Sequence, residues 1–358
     1  MNNSNTIINY DQLYEHPQLP FKLKIVDSLD KCDQSVDIKS IYFPAKFTQL
    51  YDRLGSSVGY GSLLTEWFKT NNVNLPELTK FCDSIWKTNY MIDISDPKRR
   101  VLSIVFTGLT VFFDDLLEKL SLDTTNSRFI VIALESVIAM YETMNLTPLA
   151  PSDDMVDEKI IQSLNFIIKL LHQVTRDAVD CFSADGHGLL CKVCAASYRW
   201  YSEQEFPIRQ RCLQDKRYMT LQEVVETRHL SLGLNLMMAF VYDEQEFDTN
   251  SKYYNQYGAI FANIALHTGL TNDVLSLGKE LDQVEPQNMV LKNMADGQTL
   301  DDAFNSTIQF MEQLIVAIDF LYDLSPSNQK DFLLIYCRIA AFSIDSEFRS
   351  NRYGWKSV

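Results

Sequence analysis

Asn272, Ser276 and Glu280 recur at four-residue intervals in the run Asn272-Asp273-Val274-Leu275-Ser276-Leu277-Gly278-Lys279-Glu280. On a helix this spacing lays an amide oxygen, a hydroxyl and a carboxylate along one face, in a stripe roughly 12 Å long. Such an oxygen-only set suits a hard cation such as Mg²⁺, which combines a few carboxylates with water and substrate phosphate oxygens. Lys279 lies beside the stripe, a candidate contact for an anionic group such as a phosphate. A second acidic group, Asp114-Asp115-Leu116-Leu117-Glu118, ends a long apolar run. Asp114 and Glu118 share a helix face, and Asp115 lies about 100° around. Carboxylates crowded at the rim of a core helix repel one another unless positive charge sits between them. The bland alternatives are a solvated helix end for the first group and a polar surface face for the second.

The elements that must carry these groups read as helices. Leu78, Phe81, Cys82, Ile85 and Trp86 keep helical spacing after Asn74 and Pro76. Ser95, with Pro97 in the first turn, is expected to cap the helix that runs through Asp114. Further helices are expected over Val156–Leu171, Gly188–Glu203 and Tyr253–Leu281. Thr220-Leu221-Gln222-Glu223 has the form of a capping box, and Thr299 can cap another helix. No repeat, Gly/Ser linker or βαβ alternation divides the chain. The expectation is an all-α, single-domain helical bundle over residues 21–358, with a flexible N-terminal segment over residues 1–20.

Composition narrows the partners. The chain has 358 residues, 46% hydrophobic, with a formal charge of −15. No basic stripe is visible, so nucleic acid is not an expected partner. An acidic protein that takes an anionic substrate must reverse its field locally, with cations or a few placed Arg and Lys. The longest apolar stretch, Val101–Phe113, contains Ser103, Thr107 and Thr110 and falls short of the about 18 residues of a membrane span. The start lacks a secretory pattern, so a cytoplasmic location and reduced cysteines are expected. His187, Cys191 and Cys194 admit a metal or redox reading, but one CxxC without a partner pair favours helix-packed thiols.

The two acidic groups resemble the aspartate-rich motif and the NSE triad of class I terpene synthases in the microbial single-domain form. Further segments agree with that likeness, which covers about Asp96 to Tyr353. Arg228-His229-Leu230-Ser231-Leu232-Gly233, 44 residues before Asn272, resembles the family's diphosphate-sensing arginine and helix break. Ser350-Asn351-Arg352-Tyr353 resembles the terminal Arg-Tyr pair, and Trp200-Tyr201-Ser202-Glu203 the Trp-and-Glu helix. The resemblance implies a class I terpenoid synthase-like bundle whose motifs hold three Mg²⁺ around a diphosphate. It implies metal contacts from Asp114, Asp115, Glu118, Asn272, Ser276 and Glu280. Diphosphate contacts would come from Arg228, Lys279, Arg352 and Tyr353. Glu118 stands where many members carry Asp, and Asp115 could instead pair with an arginine. No DxDD motif is present, so protonation-initiated cyclisation is not implied.

The implied activity is a carbon–oxygen lyase acting on an isoprenyl diphosphate. The substrate is a small molecule, farnesyl diphosphate favoured and geranylgeranyl diphosphate the alternative; a homodimer is open. The released cation needs a dry cavity with aromatic faces, for which Phe81, Trp86, Phe106, Phe113 and Phe348 are candidates. Small residues below the acids (Ser103, Thr107, Thr110 and Val111; Ala265, Thr268 and Gly269) suit either a roomy cavity or close helix packing. Arg228 and the Arg352-Tyr353 pair are expected to stand unsaturated until diphosphate binds. A chain-elongating prenyltransferase would need a second aspartate-rich motif where Asn272–Glu280 stands, and a non-catalytic helical module would need no metal.

Overall fold

The computed structural model describes residues 13–15, 17–19, 22–24, 36–37, 61–87, 94, 96–150, 156–231, 234–241, 252–281, 285–327, 330, 333–337, 339–340 and 353–357. Among them the helices are α1 (Gly61–Thr70), α2 (Pro76–Lys87), α3 (Pro97–Ser121), α4 (Ser127–Thr143), α5 (Glu158–Ala178) and α6 (Ala184–Trp200). They continue with α7 (Phe206–Gln214), α8 (Leu221–Ser231), α9 (Leu234–Val241), α10 (Lys252–Glu280), α11 (Met289–Ala295) and α12 (Leu300–Leu324). The result is an all-helical, single-domain bundle. None of the described helices is long and apolar enough to cross a membrane.

Four short strands of two or three residues form a small ribbon at the edge of the bundle: β1 (Leu13–Glu15), β2 (Lys22–Lys24), β3 (Val36–Asp37) and β4 (Lys356–Ser357), in the order β3-β2-β1-β4. β1 pairs antiparallel with both β2 and β4. Part of the segment expected to be flexible is therefore held on two sides, by a hairpin partner and by the C-terminal tail. Residues 1–12 lie outside the described residues.

Local chemistry explains most helix starts. Asp96, not Ser95, caps α3: its carboxylate accepts from the Arg99 N–H at 2.7 Å, and Pro97 occupies the first turn, where its missing N–H costs no bond. Ser95 itself lies outside the described residues. The capping box forms as expected, with the Glu223 carboxylate accepting from the Thr220 N–H at 2.8 Å and the Thr220 hydroxyl accepting from the Glu223 N–H at 3.2 Å. Thr299 caps α12 through the Asp302 N–H.

The chain does not break after α6. A π turn over Tyr201–Glu205 joins it directly to α7. Pro207, in the first turn of α7, has no N–H to return to Glu203 and would crowd that carbonyl in a regular helix; the wider turn relieves both problems.

α3 and α10 are the central helices. From Arg100 to Leu109 every α3 side chain is buried, so this stretch is enclosed all round. Its main neighbours are α5 and α2, while α10 packs chiefly on α12 and α8, and α4 on α6. Gly108 permits the close approach of α2: a Cβ there would stand 2.6 Å from Cys82 Sγ and 2.9 Å from Leu78 Cδ1. Both atoms belong to fully buried side chains with little room to yield. Gly108→Ala is therefore expected to destabilise the protein by about 1–3 kcal/mol, read as a lowered urea midpoint at unchanged m-value.

Candidate active site

α3 and α10 do not pack along one another; their polar ends meet across a gap. There Lys279 Nζ lies 3.7 Å from Asp115 Oδ1, the one ion pair between the two acidic motifs among the described residues. Asp115 thus has a lysine among its partners. Both groups are partly exposed, so the pair adds little stability.

Asp114 is reached by solvent yet has many protein atoms around it. Burial, then the charges of Glu118 and Asp115, hold its carboxyl well above the usual range. Glu118 is also raised by burial, but Arg209 opposes the rise. The first motif is therefore uneven: Glu118 lies in the field of a fixed cation, whereas Asp114 is flanked mainly by other acids.

On α10, Asn272 Nδ2 donates to the Tyr353 hydroxyl at 2.7 Å. The Ser276 hydroxyl is buried and makes no hydrogen bond; it lies near the Glu280 carboxylate and bears on its charge without the alignment of a bond. Burial and the neighbouring Glu285 push the Glu280 carboxyl up to about 7, against a hydrogen bond from Asn288. Asp273, buried on the same helix, binds the Arg228 guanidinium through Oδ1 and accepts the Met289 N–H through Oδ2 at 2.9 Å. The expectation that Arg228 stands unsaturated is thereby corrected. A guanidinium this deep in the protein needs a counter-charge, and Asp273 lies within reach of it.

Tyr353 is likewise buried and engaged. The tail holding it is anchored by Trp355, whose indole N–H donates to the Leu275 carbonyl at 2.7 Å, and by β4 on β1. Gly354 between them has φ +79°, a left-handed turn that a side chain would strain. Arg352 lies outside the described residues.

Several groups escaped the sequence reading. The buried acid of the π turn is Glu205, while Glu203 is exposed beside Arg199. Arg209 is almost fully buried and pairs with both oxygens of Glu285 at 2.7 Å, its Nε donating to Ser121 Oγ at 3.2 Å. Gln287 Nε2 donates to Glu205 Oε1 at 2.5 Å. The only available hint was the family-like helix around Trp200, which pointed two residues short.

Burial raises Glu205 to about 7 from an ordinary 4.5, with the Gln287 hydrogen bond and Arg228 opposing. A carboxyl whose pKa rises on folding binds more protons in the folded state, so its stabilising effect is complete below about 4.5 and is lost as pH climbs to about 7. Glu205→Gln is expected to remove this slope. The variant should match or exceed the parent in melting temperature at pH 8 and lose that standing at pH 5. A parallel shift at both pH values would refute the assignment.

The small residues divide. Ser103, Thr107, Ala265 and Thr268 are buried, and the Thr107 and Thr268 hydroxyls bond to carbonyls one turn back in their own helices. Thr110 and Val111, one turn before Asp114 and Asp115, stay partly open. Phe106 and Phe113 are core residues against Phe240 and Tyr198, and Phe81 packs on Phe112. Phe348 and the Trp86 side chain lie outside the described residues. Cys191 Sγ lies 4.0 Å from His187 Nδ1 and 3.7 Å from Met144 Sδ, as packed thiols do. Among the described residues no group of three or more His, Cys, Asp or Glu side chains is gathered closely enough to hold a metal.

The fold has clear counterparts. A mutant of the ancestrally reconstructed SVS_A2 protein superposes with a TM-score of 0.61 at 13% identity, covering 87% of this chain and 86% of that one. The 2-methylisoborneol synthase of Streptomyces coelicolor A3(2) gives 0.54 at 11% identity, covering 88% and 92%. That enzyme has also been solved with Mg²⁺ and 2-fluorogeranyl diphosphate, a form that aligns equally well. Abietadiene synthase from Abies grandis gives 0.56 at 15% identity over 82% of this chain but 39% of its own. Among curated proteins none matches the sequence significantly. The family described as terpene synthase family 2, C-terminal metal binding, matches residues 106–316, which include both acidic motifs and Arg228. With that match spanning more than half of the chain, and with the fold to go with it, this protein belongs to the terpene synthase family.

Proposed function

We propose that the protein is a Mg²⁺-dependent terpene synthase that ionises an isoprenyl diphosphate and cyclises the resulting cation, releasing diphosphate. The observation that supports this reading is the Lys279–Asp115 pair, which brings the ends of the two motif-bearing helices within 3.7 Å of each other. Asp114 on one helix and Glu280 on the other are both pushed towards neutrality, and the Ser276 hydroxyl is buried beside Glu280 without a well-aligned hydrogen bond. Such a donor set is at odds with itself until a cation joins it. Asp114, Asn272, Ser276 and Glu280 would hold the metal, with Asp115 and Glu118 nearby. Family resemblance suggests three ions, and the Mg²⁺ complex of the Streptomyces enzyme supports the metal type.

Bound Mg²⁺ would neutralise the diphosphate oxygens and make that group able to leave. The allylic C–O bond would then break with its electron pair going to the departing oxygen, leaving an allyl cation. Arg228 and Lys279, with Arg352 and the Tyr353 hydroxyl at the C-terminal end, would meet the developing negative charge. Asp273 would keep Arg228 oriented, and the tail anchored by Trp355 would keep Tyr353 at the rim, where it helps exclude water. Asn272 would take up metal through Oδ1, and its Nδ2 can keep donating to the Tyr353 hydroxyl oxygen while that hydroxyl's own proton turns towards diphosphate.

Farnesyl diphosphate is the favoured substrate on family resemblance, with geranylgeranyl diphosphate next. A prenyltransferase or an inert helical module stands behind these. Incubating the protein and Mg²⁺ separately with the 10-, 15- and 20-carbon diphosphates, with product analysis and a diphosphate assay, tests the reading. A cyclic hydrocarbon or alcohol formed from the 15-carbon substrate is expected. No diphosphate release from any of the three would overturn it.

A further inference from the structure

Glu285 to Met289, five consecutive residues, all bond to other segments around the site. Glu285 holds Arg209, the Pro286 carbonyl accepts from the Met219 N–H at 2.8 Å, and Gln287 holds Glu205. The Met289 N–H caps Asp273 Oδ2. Asn288, fully buried, is the most heavily engaged of them. Its Nδ2 donates to Glu280 Oε2 at 2.8 Å and to the Asp273 carbonyl at 2.9 Å. Its Oδ1 accepts from the Val290 and Leu291 N–H groups at 2.9 and 3.1 Å, capping α11.

Both donors and both acceptor sites of one side-chain amide are thus in use. Capping by itself does not require an amide, since Ser and Asp cap helices as well. Donating to a carboxylate while capping does: an ionised Asp has no proton to give, and a Ser hydroxyl on one short carbon cannot bridge both directions. We infer that Asn288 is a positioning residue that fixes the Glu280 carboxylate and, through α10, ties it to the Asp273–Arg228 pair. The metal-binding face and the diphosphate-binding arginine are then held as one unit by the start of α11. This inference rests on the proposed role of Glu280 as a metal ligand.

The test uses the full-length protein and variants that keep the cap, Asn288→Ser and Asn288→Asp, beside Glu280→Gln and the Asn288→Ser/Glu280→Gln double variant. The Mg²⁺ concentration for half-maximal diphosphate release is measured together with kcat at saturating Mg²⁺ and the melting temperature. Both Asn288 variants are expected to stay folded with a lowered melting temperature, Asn288→Asp more so because it sets a second carboxyl beside Glu280, to need at least about tenfold more Mg²⁺ and to recover most of kcat when it is supplied. The double variant should be no worse than Glu280→Gln alone, because both changes act on one carboxylate. An unchanged Mg²⁺ requirement in Asn288→Ser, beside a raised one in Glu280→Gln, would overturn the inference and leave the metal reading standing. A parent-like requirement in Glu280→Gln would overturn the metal reading, and this inference with it. Loss of the fold in both Asn288 variants despite the retained cap would show a structural role and would also overturn it.

Discussion

Asp114→Ala is expected to reduce turnover by about a thousandfold or more, equivalent to about 4 kcal/mol of transition-state stabilisation, while leaving the helical circular dichroism intact. The effect is this large because no neighbour can take over: Asp115 is engaged by Lys279, and Glu118 lies in the field of Arg209. Stability should move the other way. The surrounding protein and two adjacent acids hold the Asp114 carboxyl well above its ordinary range although solvent reaches it, so at neutral pH its charge is unfavourable in the metal-free protein. Removing it should raise the melting temperature or leave it unchanged, and lower catalysis at the same time. That opposition separates a residue kept for function from one kept for the fold. A chelator should abolish turnover in the parent, and added Mg²⁺ should restore it. Appreciable activity in Asp114→Ala, or in excess chelator, would remove the basis for the proposed mechanism.

The largest stability loss is expected from Glu285→Ala. It strips both hydrogen-bonded oxygens from Arg209, whose side chain is 2% exposed, and leaves a guanidinium in the interior without its main counter-charge. Breaking one side of a buried pair in this way costs about 3–5 kcal/mol. Glu118 also draws on Arg209, so the disturbance should reach the first acidic motif and weaken activity even where the protein stays folded. Replacing both partners, Arg209→Met with Glu285→Leu, removes the stranded charge and should be less destabilising than Glu285→Ala alone. Urea unfolding of the two variants decides the matter. A loss below about 1 kcal/mol for Glu285→Ala would place this pair among ordinary surface ion pairs.

What the chain determines by itself is local. The four-residue spacing of Asn272, Ser276 and Glu280, the run into Asp114, the capping box at Thr220 and the cap at Thr299 involve residues within a turn or two of each other. Helix geometry converts such spacing into shared faces whatever the rest of the protein does. The helical elements and the shared face within each motif were legible for that reason. Where local rules competed, the reading slipped by a residue or two. Asp96 rather than Ser95 caps α3, and the π turn before Pro207 turns Glu205 inward in place of Glu203. Tertiary structure alone decided the partners of the buried charges. Arg209 reaches Glu285 across 76 residues, Gln287 reaches Glu205 across 82 and Arg228 reaches Asp273 across 45. No periodicity encodes such pairings. They arise when packing removes water from several charged groups at once and each must be answered by whatever opposite charge or donor the fold brings within bonding distance.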